Sequence, residues 1–339
     1  MEIQERVAAF VGLGEYIKNL PEEKFKSLAE SIRLENPWFT EDSVRMAVSG
    51  LLLYLDEKNL REWTQQYSLV KHSPRRILLI MAGNIPLAGF HDFLSVMING
   101  DAAVIKLSSK DSVFIKFLTA KLVEINPEFH SRIRFEQTVK GFDAVIATGS
   151  DNSSRYFDYY FGKYPHIIRK NRTSAAVLNG VESELELSKL GHDVFSYFGL
   201  GCRNVSKLFL PRGFNFSPLF KSWEAYNEIA HHHKYHNNYY YQKSILNVSQ
   251  QPHLDNGFVL LQESIKLVSP LAVVYYEFYE NPEELNAKLN EHREKIQCII
   301  GNIFPASVKF GQAQMPGLMD YPDKVDTMRF LLEMREGDR

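Results

Sequence analysis

The stretch "RRILLIMAGNIPLAGFHDFLSVMINGDAAVIKLSS", Arg75 to Ser109, decides the fold. Its first nine residues are a short apolar run ending in Gly83, the pattern of a buried strand. "LAGFHDFLSVMING" has helical spacing and closes at Asn99-Gly100, a usual helix stop. "AAVIKLS" is a second buried strand. The alternation continues with "SVFIKFLTAKLVEI" as helix, "FDAVIATGS" as strand and "DNSSRYFDYYF" as a helix with polar N-terminal residues. Strand and helix repeated in this way predict a parallel sheet with right-handed crossovers. Such sheets hold ligands at the carboxyl ends of their strands.

Upstream of Arg75 the pattern is helical. "ERVAAFVGLGEYIKNL", "EEKFKSLAESIR" and "TEDSVRMAVSGLLLYL" place apolar residues three and four apart, with Thr40 as a plausible N-cap. Downstream, a second series starts near Lys170. "TSAAVLN", "VSKLFLP" and "LAVVYYEFY" read as strands. "ELELSKLGHDVFSYF" reads as a helix, and "SPLFKSWEAYNEIAHHHKYHNNYY" as one long helix. No repeat, low-complexity stretch or Pro/Gly linker separates the two α/β units.

The chain has 339 residues, room for two domains at ~100–200 residues each. Its net charge of −2 gives no broad basic footprint for nucleic acid. No apolar run is long enough for a membrane span, and "MEIQERVAAFVGLGEY" makes a poor signal peptide. Two cysteines in such a length suit a reducing compartment better than a disulfide framework. A cytoplasmic protein is expected.

Four short stretches carry candidate chemistry. In "GLGCRN", Cys202 is either a small buried hydrophobe or a nucleophile on a loop between rigid elements. Arg203 beside it either lowers the thiol's pKa or is a surface charge. In "MAGNIPLAG", Asn84 either caps the next helix or donates a hydrogen bond to an oxyanion, and Pro86 suits a first helical turn. In "VIKLSSKDS", Lys106 ends a strand, followed by Ser108, Ser109 and Lys110. Such a lysine either snorkels to solvent or meets a ribose hydroxyl or phosphate, and Lys110 would favour a 2′-phosphate. In "ATGS", Gly149 and Ser150 offer a turn with N–H groups at a helix start, a phosphate cradle. G-x-G-x-x-G is absent.

In this order, "GNIP", "VIKLSS", "ATGS" and "GLGC" resemble the aldehyde dehydrogenase superfamily. Together with the ending "FGQAQMPGLMDYPDKVDTMRFL", the chain resembles the LuxC-type acyl-CoA reductases from about Ile77 to Leu331. The resemblance implies two Rossmann-like α/β domains with parallel sheets. Residues 1–170 would be N-terminal helices plus a nicotinamide-binding domain, 171–305 the catalytic domain, and 306–339 a segment packing back on the cofactor domain. It implies Cys202 as the acylated nucleophile and Asn84 as the oxyanion donor. It also implies Lys106, Ser108, Ser109, Gly149 and Ser150 beside the cofactor, NADPH with NADH possible. Two acids of hydrolytic relatives are replaced: Arg169 or Lys170 stands near the first, and Lys266 at the second, where Pro270 is kept.

The implied activity is reduction of a fatty acyl-CoA to its aldehyde through an acyl-cysteine, by a homo-oligomer or beside acyl-transfer enzymes. An acyltransferase or thioesterase using the same cysteine, or an acyl-binding scaffold, are the alternatives. His192 reads as a core or surface histidine and Cys298 as core. His232 and His236, four apart on the presumed long helix, lack H-E-x-x-H and an acid on the right side, so no metal is expected.

Overall fold

The computed structural model describes every residue except 138, 139, 150, 305, 306 and 337–339, and for 151–153, 335 and 336 it describes the backbone. The chain divides into two compact units, Met1–Asn171 with Pro316–Arg339, and Arg172–Met315.

The first unit opens with helices α1 (Ile3–Lys18), α2 (Glu22–Glu35), α3 (Glu41–Leu55) and α4 (Glu57–Thr64). Thr40 caps α3 by accepting the Ser43 N–H. Strand and helix then alternate: β1 (Arg76–Ile80), α5 (Phe90–Asn99), β2 (Ala102–Lys106), α6 (Val113–Ile125), β3 (Ile133–Phe135), β4 (Ala144–Thr148), α7 (Asp151–Phe161) and β5 (His166–Arg169). The sheet order is β3-β2-β1-β4-β5, and every pairing is parallel. Leu78 lies beside both Val104 and Val145. Ile77, Leu78 and Leu79 are all buried, as a strand covered on both faces requires.

Helix α5 is buried along its whole length. Gly100, at φ 91°, ends it in the left-handed conformation that glycine adopts without strain. The buried Arg6 of α1 donates to the Ile98 carbonyl at 2.9 Å, setting a cation at the negative end of the helix dipole. The helix starts at Phe90, after Gly89. Asn84 and Pro86 therefore precede it in an irregular turn, and the helix-cap reading of Asn84 is set aside.

At the other end of α5, buried Asp92 meets buried Arg169 of β5 through two hydrogen bonds, 3.2 and 2.6 Å. Arg169 also donates to Thr327 Oγ1 at 2.9 Å and to the Pro322 carbonyl at 2.5 Å. Burial alone raises the Asp92 pKa, but the charge and hydrogen bonds of Arg169, with smaller help from His91 and Thr327, outweigh it and hold the carboxyl below its usual range. The C-terminal segment is thus fastened to the last strand of its sheet.

The second unit runs β6 (Thr173–Val177), α8 (Glu184–Phe195), β7 (Val205–Pro211), α9 (Phe216–Trp223), α10 (His233–Val248), β8 (Leu254–Asp255), β9 (Leu260–Glu263), β10 (Val273–Tyr279), α11 (Pro282–Glu291) and β11 (Ile296–Ile300); α12 (Thr327–Glu336) returns to the first unit. Its sheet order is β11-β6-β7-β10-β9-β8, parallel except for the β8–β9 pair. The expected long helix is broken. A 3-10 segment, Glu224–His231, separates α9 from α10, and His232 takes an extended ψ of 111°. The break follows from anchoring. Trp223 Nε1 donates to the Leu187 carbonyl and Tyr226 to the Ser188 carbonyl, and the ring of Tyr226 packs where a Cβ on Gly191 would stand. Residues 307–315 stay with the second unit instead of leaving it at 305. Val308 bridges to Ile300, and the Gly311 and Ala313 N–H groups bond to Asp193. Among the described residues no helix is long and apolar enough to cross a membrane.

Removing one partner of a buried ion pair costs about 3–5 kcal/mol. Asp92→Ala is expected to lose that much in urea denaturation, and the double variant with Arg169→Leu less than the two single losses combined. Additive losses would show that the two side chains act independently.

Candidate active site

In the first unit, β1, β2 and β4 are neighbours, so the loops leaving their carboxyl ends lie side by side. These loops carry Asn84, then Lys106 to Lys110, then Gly149. Asn84, Lys106, Ser109 and Lys110 are exposed and Ser108 is half-buried. Gly83 and Ser108 touch: a Cβ on Gly83 would lie 2.4 Å from Ser108 Oγ, so only glycine fits. The Gly149 N–H is spent on the Arg169 carbonyl at 3.3 Å, which removes it from the phosphate cradle expected there. Ser150 lies outside the described residues.

The Asn84 loop is held from below. Leu87 has a left-handed φ of 60°, and its N–H donates to Asp111 Oδ2 at 2.8 Å. Asp111 Oδ1 has no partner among the described residues. Burial, then the nearby charge of Glu35, pushes the Asp111 carboxyl up to about 7 against the pull of the Leu87 bond. Glu35 itself accepts from Ser112 and Val113 at the start of α6.

In the second unit, Cys202 is half-buried on the turn that enters β7. The residues before it are strained. Tyr197 and Phe198 have φ of 50° and 58°, and Gly199 follows at 78°. Such conformations cost about 1–3 kcal/mol each for non-glycine residues and cluster at functional loops. Phe198 packs on the His232 ring with centroids 4.4 Å apart, so that histidine supports the loop. His236 instead packs on Tyr240. Among the described residues no group of three or more His, Cys, Asp or Glu is placed to hold a metal.

Ser174 of β6 joins the two thiol-bearing residues. Its Oγ donates to the Cys202 carbonyl at 3.1 Å and lies 3.1 Å from Cys298 Sγ in β11, where Cys298 is buried as a core residue. Arg203 Nη1 lies 3.4 Å from the Ala313 carbonyl and 4.0 Å from Cys298 Sγ. His192 is half-buried in α8, its Nδ1 3.2 Å from Ser196 Oγ, and burial lowers its pKa. Asp193, pushed up to about 6 by burial against the Gly311 and Ala313 N–H bonds, clamps the segment after β11. Asn204, buried two residues after the cysteine, bonds both arms of the loop. Sequence reasoning missed Asn204, Ser174 and Asp111. Only the closeness of Asn204 to Cys202 offered a signal.

The two α/β units have an aldehyde-dehydrogenase-like fold. Aldehyde dehydrogenase 21 from Physcomitrella patens superposes with TM-score 0.69 at 12% identity, over 98% of this chain and 84% of that one. An aldehyde dehydrogenase from Mycobacterium tuberculosis, complexed with NAD+, gives 0.62 at 13% identity, over 86% and 71%. The family model described as acyl-CoA reductase (LuxC) matches residues 41–168. The long-chain acyl-protein thioester reductase of Aliivibrio fischeri is 21% identical over 168 residues, 44% of this chain. That match spans about a third of the relative's length, 35%. The resemblance read from the sequence stands. The family match begins in α3, upstream of Ile77, and ends before Cys202.

A buried carboxyl with a raised pKa loses stabilisation as pH climbs from its unfolded value to its folded one. For Asp111 that window runs from 3.8 to about 7. Asp111→Asn keeps an acceptor for Leu87 and removes the charge. It is expected to match the parent near pH 4 and to exceed it by roughly 2–4 kcal/mol at pH 8. Parallel stability-versus-pH curves would refute this.

Proposed function

We propose that the protein reduces an acyl-CoA thioester to the aldehyde, with NADPH as reductant and Cys202 as the acylated nucleophile. The observation that carries the reading is the half-buried Cys202 following a strained loop in an α/β unit of aldehyde-dehydrogenase-like fold. The donor set suits an anionic dinucleotide. Lys106 and Lys110 bring positive charge, and Ser108 and Ser109 bring hydroxyls, to the carboxyl edge of the first sheet. Lys106, Ser108 and Ser109 would hold the cofactor beside the turn at Gly149, and when bound it supplies hydride to the acyl carbon. The cationic Lys110 favours a 2′-phosphate, hence NADPH over NADH.

The Cys202 thiolate attacks the thioester carbonyl, and its sulfur–carbon bond forms as the CoA thiolate leaves. The Asn84 amide and the Cys202 N–H stabilise the oxyanion during this exchange. Exchanging one thioester for another is near isoenergetic, so the step needs no strong base. After reduction, collapse of the thiohemiacetal on Cys202 releases aldehyde and restores the thiol. Arg169 and Lys170 are cations bonded to Asp92 and Asp158. Neither activates water, and the acyl-cysteine is spared hydrolysis. A reducing compartment, the cytoplasm, keeps the thiol free.

Cys202→Ala is expected to abolish acyl-CoA-dependent NADPH oxidation and covalent labelling by radioactive acyl-CoA. Full activity in that variant ends the proposal. Asn84→Ala is expected to lower kcat by roughly 100-fold, the loss of one oxyanion donor. A parallel assay with an acyl-protein thioester identifies the preferred donor.

A further inference from the structure

Resting on the reading of Cys202 as the nucleophile, we infer that Asn204 is the positioning residue of its thiol. The strained stretch Tyr197–Gly199 leads into the cysteine, and such backbone persists only where its surroundings over-determine it. Asn204 supplies that hold at both ends. Its Nδ2 shares protons with the Ser196 carbonyl at 2.8 Å, just before the strained residues, and with those of Asp193 at 3.1 Å and Val194 at 3.3 Å. Its Oδ1 accepts the Gly201 N–H at 2.8 Å, just ahead of Cys202. The orientation of the amide is dictated, because one side meets an N–H and the other meets carbonyls.

The main chain of the same residue completes the frame. Its N–H donates to the Gly201 carbonyl at 3.1 Å, closing a turn around the cysteine. Its carbonyl accepts from the Ser174 N–H at 3.0 Å, and Ser174 Oγ donates to the Cys202 carbonyl at 3.1 Å. The carbonyls at the end of α8 need only a cap or water. The bond to Gly201 does nothing for that helix and acts on the loop alone. The Asn204 side chain, bonded ahead of Cys202, and its main chain after it therefore set the direction of the Cys202 backbone, and with it that of the thiol.

The two thiols of the protein make the test self-controlled. Asn204→Ala and the near-isosteric Asn204→Asp are alkylated with iodoacetamide from pH 6 to 10, and the rates at Cys202 and Cys298 are read separately by peptide mass spectrometry. Both variants are expected to change the Cys202 rate or its pH midpoint while Cys298 stays as protected as in the parent. Their kcat is expected to fall ~10–100-fold with KM within about twofold, the usual scale for misplacing a reacting atom by an ångström. A parent-like Cys202 profile and kcat would overturn the inference. So would equal exposure of both thiols, which would mark general loosening of the unit. If Asn204→Ala does not fold, Asn204→Asp alone decides. Failure of the nucleophile reading shows separately, as absence of acyl label on Cys202 in the parent, whatever the alkylation rates do.

Discussion

The ion pair between Asp92 and Arg169 carries the first unit. Both side chains are out of water, so each would be costly alone, and their attraction is strong enough to reverse the upward push of burial on the carboxylate. The pair joins three parts that are far apart in sequence: the helix following the Asn84 loop, the last strand of the sheet, and the returning C-terminal segment through Pro322 and Thr327. The charge of Arg169, at the end of its strand, is taken up in holding the fold together.

The second unit relies on main-chain hydrogen bonding instead. Its loop adopts three left-handed residues in succession, a conformation the chain would relax if left unsupported. Support comes from Asn204 and Ser174 beneath it and from His232 against Phe198. The histidine cluster, which invites a metal reading in the sequence, is here part of an aromatic brace.

Much of this was legible in the sequence, and what was not has physical reasons. The apolar stretches 77–80 and 102–105 stand out because the middle of a strand buried on both faces must be apolar. Ile133–Phe135 is three residues long and largely uncovered, and leaves no such trace. The break before His232 has no Gly or Pro to announce it, since it follows from Trp223 and Tyr226 bonding to carbonyls of the neighbouring helix α8. Cys202 stands out as a candidate from the glycines before it. Asn204, Ser174 and Asp111 act through backbone groups that only folding brings near, and a single sequence does not record those meetings.

The absence of a side chain at Gly83 has a thermodynamic consequence. Because Ser108 fills that space, the loop after β1 and the loop after β2 have little freedom to wander separately. A molecule that quiets one of them removes motion from the other. Whatever arrives second then finds part of its ordering entropy already given up, and two occupants can favour each other without any visible rearrangement of the backbone.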